Sequence, residues 1–318
     1  MDFDLSADQI ALRDGIRSLC EGRFPIKRVR EGFDRSAHAE LAEAGVFSLR
    51  ADGFGVADAA VVFEELGRAA VPGPLVWAYL AHGVVDGIVG GLEVAHRRPP
   101  WMVEHVDALD TLLVIDQASV HAVPAHKIAG AVPVARPLDP LTPVHRVDQL
   151  PAGETVGDDD LLASWRLEGP VVTGAFLVGM AQACTDLSVA YAKERRQFDR
   201  PIGSFQAVKH LLADMLVRTE VARASVHAAA CTLDEPDTGD VARAVAGAKM
   251  LAGETAIANG KTATQVHGGM GFTWEVDVHL YLKRAWVLDT VFGSVDEHAD
   301  AVAATLPLLR DFGVAGPG

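Results

Sequence analysis

Residues 191–206 read Tyr-Ala-Lys-Glu-Arg-Arg-Gln-Phe-Asp-Arg-Pro-Ile-Gly-Ser-Phe-Gln. A long apolar segment, 171–190, runs into this stretch and changes character at Lys193, Glu194, Arg195 and Arg196. Pro201 and Gly203 then break the helix before a second long amphipathic segment begins. A cationic cluster with an aromatic beside it, set between two helices, suits an anion such as a phosphate, because guanidinium groups present paired donors to its oxygens. An ordinary solvated helix end accounts for the same charges, since Arg and Lys favour the negative end of the helix dipole. On residue chemistry alone both readings stand.

The remaining composition narrows the class. A chain of 318 residues has room for more than one core, and 49% hydrophobic with 22% charged residues is a folded, globular composition. The formal charge of −15 argues against nucleic acid or an anionic membrane as the main partner, while leaving room for a local basic site. Cys20, Cys184 and Cys231 are far apart and show no CxxC spacing, so they read as small buried hydrophobes in a reducing compartment, with no metal site expected. The opening Met-Asp-Phe-Asp-Leu-Ser lacks a basic and an apolar region, so no signal peptide is expected. The apolar stretches 76–92 and 171–190 are interrupted by Gly and polar residues, so neither is expected to span a membrane. The expected address is the cytoplasm.

Taken in order, the chain sorts into three parts. Ser6 stands as an N-cap before a helical stripe over 5–22, and helix-like pieces follow at 26–33, 36–44, 58–70 and 75–89. The period then shortens: 112–115, 120–123 and 131–134 are β-type runs among many prolines, ending in an acidic loop at Asp158, Asp159 and Asp160. Helix returns at 161–195, 204–233, 238–266, 275–291 and 294–310, the first three rich in small residues that allow close packing. The expected fold is mainly α with a small β domain: an N-terminal helical domain over 1–92, a shortened β domain over 93–165, and a C-terminal four-helix-type bundle over 166–318. Sorted rather than alternating elements exclude a doubly wound fold.

A second informative stretch, 265–275, reads Gln-Val-His-Gly-Gly-Met-Gly-Phe-Thr-Trp-Glu. Its glycines follow a long helix and leave backbone N–H groups open to a ligand; alone it is also an ordinary glycine C-cap and turn. The pair is more specific than either half. Arg-x-Gln-Phe-x-x-Pro-Ile-x-x-Phe-Gln followed by Gln-x-His-Gly-Gly-x-Gly-x-x-x-Glu resembles the acyl-CoA dehydrogenase family. Phe-x-Leu-Ser-x-x-Gln at the N-terminus and Phe-Glu-Glu-Leu-Gly-Arg at 63–68 resemble that family's opening helices, so the similarity covers nearly the whole chain.

The resemblance implies that the two C-terminal motifs reach across a subunit interface to a neighbour's FAD. Arg195, Gln197, Phe198, Ile202, Phe205 and Gln206 would line its adenosine end, and Gln265, Gly268 and Gly269 would approach its pyrophosphate. Asp199 departs from the pattern, standing where the family usually has Gly. The family's reaction removes an α-proton of an acyl-CoA with a Glu base while the β-hydride passes to the flavin. Counted from Leu282, Lys283, Arg284 and Ala285, the base position here is Phe292, which cannot take a proton. Some members carry the Glu on an earlier helix; the matching positions are Gly169 and Pro170, with Glu168 one residue away and expected near a helix start. No counterpart of the family's flavin-covering segment is found between Val94 and Leu167.

The resemblance with these losses implies a subunit without its own catalytic residue, in an α2β2 heterotetramer. A full-length partner would supply the base and hold most of the acyl-CoA, with an electron-transfer acceptor completing the cycle. By analogy with short subunits of this kind, the substrate would be a bulky steroid side-chain thioester. Two alternatives remain at this point: a homo-oligomeric flavoprotein using His267, His210 or Glu275 for different chemistry, and a flavin-free scaffold.

Overall fold

The computed structural model describes residues 4–94 and 98–306. Five helices open the chain: α1 (Ala7–Arg23), α2 (Ile26–Val29), α3 (Arg35–Glu43), α4 (Val56–Arg68) and α5 (Leu75–Ala81). Ser6 and Gln9 form a reciprocal capping box at the start of α1, so the expected N-cap is in place. Phe3 of the opening motif lies outside the described residues.

The apolar run expected as one helix over 75–89 is divided. Helix α5 stops at Ala81 and strand β1 (Val89–Glu93) begins eight positions later. Gly83 and Gly87 lie between them at φ 79° and 90°, a left-handed backbone that turns the chain. Strands β2 (Trp101–Glu104), β3 (Thr111–Ile115), β4 (Val120–Pro124), β5 (Val132–Pro133), β6 (Val144–Val147) and β7 (Glu154–Gly157) follow. They make two sheets, ordered β1-β3-β4-β7 and β2-β6-β5. β1 runs parallel to β3, and the other pairings are antiparallel. β3 is apolar on both faces for a reason: Leu112 and Val114 fill the core shared by the two sheets, while Leu113 and Ile115 join the main helical core.

The bundle comprises α6 (Asp159–Glu194), α7 (Gln206–Asp234), α8 (Val241–His267), α9 (Val278–Asp289) and α10 (Val295–Thr305). Positions 307–310 of the expected last helix lie outside the described residues. The acidic triplet expected as a loop starts α6 instead: Asp158 is its N-cap, accepting from the Leu161 N–H, and Asp159 and Asp160 fill its first turn. Glu168 is therefore well inside a helix rather than near a helix start, with Pro170 in the same helix.

Helix α6 is long and apolar enough to cross a membrane by length and composition alone, but 83% of its apolar window is buried, so it is a core helix, in keeping with the reading of 171–190. It crosses α4 closely. A Cβ on Gly67 would collide with the Phe176 carbonyl, and one on Gly179 with the Glu64 carbonyl, so glycine on both helices sets the approach. Asn259 of α8, fully buried, donates to the Met215 carbonyl (3.0 Å) and the Thr219 hydroxyl (2.9 Å) of α7, fixing the register of those helices.

One buried ion pair ties the β region to the bundle. Arg284 of α9 donates from Nε to Asp139 Oδ2 at 2.8 Å and from Nη1 to the Val71 carbonyl at 2.9 Å. Asp139 also accepts from the Thr142 hydroxyl and the Leu141 N–H. Although burial alone would raise the Asp139 pKa, the Arg284 guanidinium and these donors hold it below the usual carboxylate range. Its contribution is thus present above that range and is lost as pH falls through it to below the depressed folded value. Asp139→Ala leaves a guanidinium buried without its partner and is expected to cost about 3–5 kcal/mol by urea unfolding at neutral pH. Truncating the exposed Arg13–Asp14 pair should cost less than about 1 kcal/mol, and the Asp139→Ala deficit should shrink on acidification.

Candidate functional site

The two sequence motifs lie at one end of the bundle. Helices α6 and α8 both finish there, and Tyr191 stacks on His267 with ring centroids 4.2 Å apart. The Tyr191 hydroxyl also donates to the Met270 sulfur at 3.9 Å. These contacts bring the last turn of α6 against the glycine segment after α8.

From this base the first motif projects as a hairpin. Arg195 ends α6, and the Ile202 N–H donates back to its carbonyl at 2.7 Å. β8 (Arg196–Gln197) pairs with β9 (Arg200–Pro201), leaving Phe198 and Asp199 as a two-residue turn. Both turn residues have positive φ, 50° and 62°, as a tight hairpin of this twist needs. Asp199 therefore stands where glycine would be at ease because Asp also tolerates the left-handed region. Its carbonyl accepts from Arg196 Nη2 at 2.6 Å, closing the turn.

The hairpin holds its side chains outward. Phe198 is 85% exposed and meets Phe205 edge-on at 6.1 Å, while the Arg200 guanidinium sits 4.1 Å over the Phe205 ring. The Arg195 guanidinium is exposed and has no hydrogen bond or ion pair among the described residues. Gln197 and Gln206 are exposed and Ile202 half-buried. Beside them Gln265, Gly268 and Gly269 are exposed; a Cβ on either glycine would meet nothing within 4 Å, so their backbone faces open space. Gly268 adopts φ 62°, which lets the chain leave α8. A free guanidinium, apolar rings and open backbone are a donor set that fits a nucleotide diphosphate presented from outside this chain.

The groups considered for different chemistry do not converge. His267 is buried, its Nδ1 donates to the Ala263 carbonyl at 2.8 Å, and burial lowers its pKa, so it packs as a neutral ring. His210 and Glu275 are exposed, on α7 and on the segment before α9.

The base position is filled and fixed. Phe292 is buried, with its ring 4.6 Å from Trp77, and a Cβ on Gly169 would lie 2.7 Å from that ring. Its carbonyl accepts from His298 Nε2 at 2.7 Å. Fully buried Lys249 donates to the Asp289 and Gly293 carbonyls at 2.9 and 2.8 Å, clasping the loop that carries Phe292. Burial pulls the Lys249 pKa down to about 8, still favouring the charged donor at neutral pH. Glu168 is occupied elsewhere: one oxygen accepts from Ser164 and Arg50, at 3.2 and 3.3 Å, and its pKa is raised by burial. The other oxygen is buried, with the Tyr79 hydroxyl beside it.

Sequence reasoning missed the Tyr191–His267 stack, the Lys249 clasp and two further exposed aromatics near the glycine segment, Phe272 and Trp274. The lysine had no local signal, being one cation in an Ala-rich helix. The aromatics were visible in the quoted motif.

Comparison with known proteins gives a consistent picture. The family model described as acyl-CoA dehydrogenase, C-terminal domain, matches residues 168–306. Acyl-CoA dehydrogenase IpdE2 of Mycolicibacterium smegmatis is 35% identical over 248 residues, covering 72% of this chain and 72% of that protein. Acyl-CoA dehydrogenase FadE34 of Mycobacterium tuberculosis is 32% identical over 328 residues, covering 88% of this chain but 45% of that protein. In fold, the chain is similar to one from the ChsE4-ChsE5 complex of Mycobacterium tuberculosis, with TM-score 0.81 and 23% identity over 97% of this chain and 100% of that one. It is also similar to the Tcur3481-Tcur3483 steroid ACAD variant, with TM-score 0.78 and 21% identity over 93% of this chain and 97% of that one.

Phe292→Glu tests how firmly the filled position is closed. A carboxylate packed against Trp77 and Gly169 in the core should have a raised pKa. The variant is expected to gain no acyl-CoA oxidation on its own. Thermal unfolding between pH 5 and 8 should show it losing stability as pH rises above the ordinary carboxylate range, by about 3 kcal/mol or more near neutral pH. Activity in the isolated variant would show an open cleft.

Proposed function

This chain belongs to the acyl-CoA dehydrogenase family, whose members are FAD-dependent oxidoreductases, and we propose that it serves as a non-catalytic subunit of a heteromeric enzyme. In this reading it lends part of a FAD site to a catalytic neighbour in an α2β2 assembly. The observation that carries the proposal is the contrast between the two sites: the Arg195 guanidinium stands exposed with no hydrogen bond or ion pair among the described residues, while the position expected to hold the base is a buried Phe292.

Each exposed group has a role it can perform from outside the neighbour's cleft. Arg195 would meet phosphate charge, Phe198, Ile202 and Phe205 would offer apolar surface to the adenine, and Gln197 and Gln206 would offer amides at its edge. Gln265 and the open backbone at Gly268 and Gly269 would approach the pyrophosphate. When bound, FAD supplies the acceptor for the hydride that leaves the acyl-CoA β-carbon. This chain's residues position it; the partner's Glu takes the α-proton.

The FadE34 alignment supports a second polypeptide half, because a stretch like this chain makes up 45% of that protein. The bulky steroid side-chain thioester is the substrate class we favour, with the thioester held mainly by the partner and electrons leaving to a separate acceptor protein. Free, unpaired cysteines suit a reducing, cytoplasmic setting. Co-expression with a full-length acyl-CoA dehydrogenase should give a yellow complex that oxidises acyl-CoA, whereas this chain alone should be colourless and inactive. Arg195→Glu should lower the FAD content of the complex at least severalfold while the two chains still co-purify. Unchanged FAD content would favour a flavin-free scaffold, and stoichiometric FAD with activity in the chain alone would overturn the proposal.

A further inference from the structure

Arg30 closes helix α2 among the N-terminal helices, yet its guanidinium reaches the far end of the chain. Nη1 donates to the Trp274 carbonyl at 2.7 Å and Nε to Asp277 Oδ1 at 2.7 Å, with Nη2 2.6 Å from the same oxygen. These partners lie 244 and 247 positions away, in the connection between the glycine segment and α9. Residues 273–277 of that connection belong to no helix or strand. The Arg30 and Asp277 side chains are half-buried, and charge-assisted hydrogen bonds are about twice as strong as neutral ones.

Asp277 gives up a local role for this contact. It stands at the N-cap of α9, where a carboxylate ordinarily accepts from the first helical N–H groups, but its side chain makes no such bond. Upstream, the segment is fastened to the bundle. The Tyr191 hydroxyl reaches the Met270 sulfur, and a Cβ on Gly271 would lie 2.5 Å from the Thr264 carbonyl. Trp274 is steadied further by the Lys283 ammonium, 5.3 Å from its ring centroid, and by His279, edge-on at 5.0 Å. Gly268 and Gly269, just before Met270, have nothing within 4 Å of where a Cβ would stand. Glycine has the most backbone freedom to lose, so donors on it bind better when the surrounding chain is already ordered.

We propose that Arg30 is a positioning residue: by holding Trp274 and Asp277 it orders residues 268–277, so that the Gly268 and Gly269 backbone meets the diphosphate of a neighbour's FAD without rearrangement. The inference rests on the FAD-lending role proposed above. Arg30 acts through the segment and not on the phosphate, since all three of its guanidinium nitrogens are engaged. Loss of Asp277 then has a sign that charge alone would not give. Removing a carboxylate from this end of the bundle makes the surroundings of a diphosphate less negative, which favours binding; releasing the segment opposes it.

Two measurements test the assignment. In the isolated chain, amide hydrogen exchange over 268–277 should quicken severalfold in Arg30→Ala while the core of α6 and α8 is unchanged. In the heteromer freed of flavin, titration with FAD should show Arg30→Ala and Asp277→Ala each weakening binding on the order of tenfold, with no further loss in the double variant. Arg30→Lys, which keeps the charge but not the planar fork, should fall between Arg30→Ala and the unaltered chain. Unchanged exchange over 268–277 in Arg30→Ala, or tighter FAD binding in Asp277→Ala, overturns the inference. If Arg195→Glu weakens FAD binding while Arg30→Ala and Asp277→Ala do not, the positioning role fails and the FAD-lending role stands. If none of the three weakens it, both fail.

Discussion

The close crossing of α4 and α6 through Gly67 and Gly179 is the constraint on which the rest depends. It presses the N-terminal helices against the bundle's core helix and leaves α6 surrounded by α4, α7 and α8. Enclosed in this way, α6 carries features of both candidate sites along its length. At its C-terminus Arg195 and the hairpin extend into solvent. Nearer its N-terminus, Gly169 accepts the Phe292 ring and Glu168 is held by Arg50 and Ser164.

The two ends differ in what they leave unsatisfied. At the hairpin, positive φ at Phe198 and Asp199 and a guanidinium without a partner among the described residues stand in the open. Around Phe292 the Lys249 clasp, the His298 bond and the Trp77 contact hold the loop and the ring in place. Exposed donors beside a filled base position are the physical basis on which we propose binding for this chain and proton transfer for a neighbour.

Much of the fold was legible because its signals are local. The α6–hairpin–α7 boundary follows from charge, Pro201 and Gly203, and three strands follow from short β-branched runs. The 75–89 segment was misread because an apolar run of that length does not distinguish a short helix plus a buried strand from one helix; Gly83 and Gly87 held the answer. Asp158, Asp159 and Asp160 were read as a loop although acidic residues also start helices, and the structure uses them so. The Arg284–Asp139 pair, 145 positions apart, and the Lys249 clasp had no local signal at all, since only the folded chain brings those groups together. For the site, the hairpin and glycine segment could be named in advance, because each is one contiguous run of residues.

The most direct measurement is the ratio of FAD to polypeptide in the purified heteromer, by flavin absorbance against quantified chains. If this chain lends residues to a neighbour's cofactor and holds none in its own cleft, the complex carries one FAD for each pair of unlike chains. One FAD for every chain, or FAD retained by this chain after the partner is removed, would contradict the account.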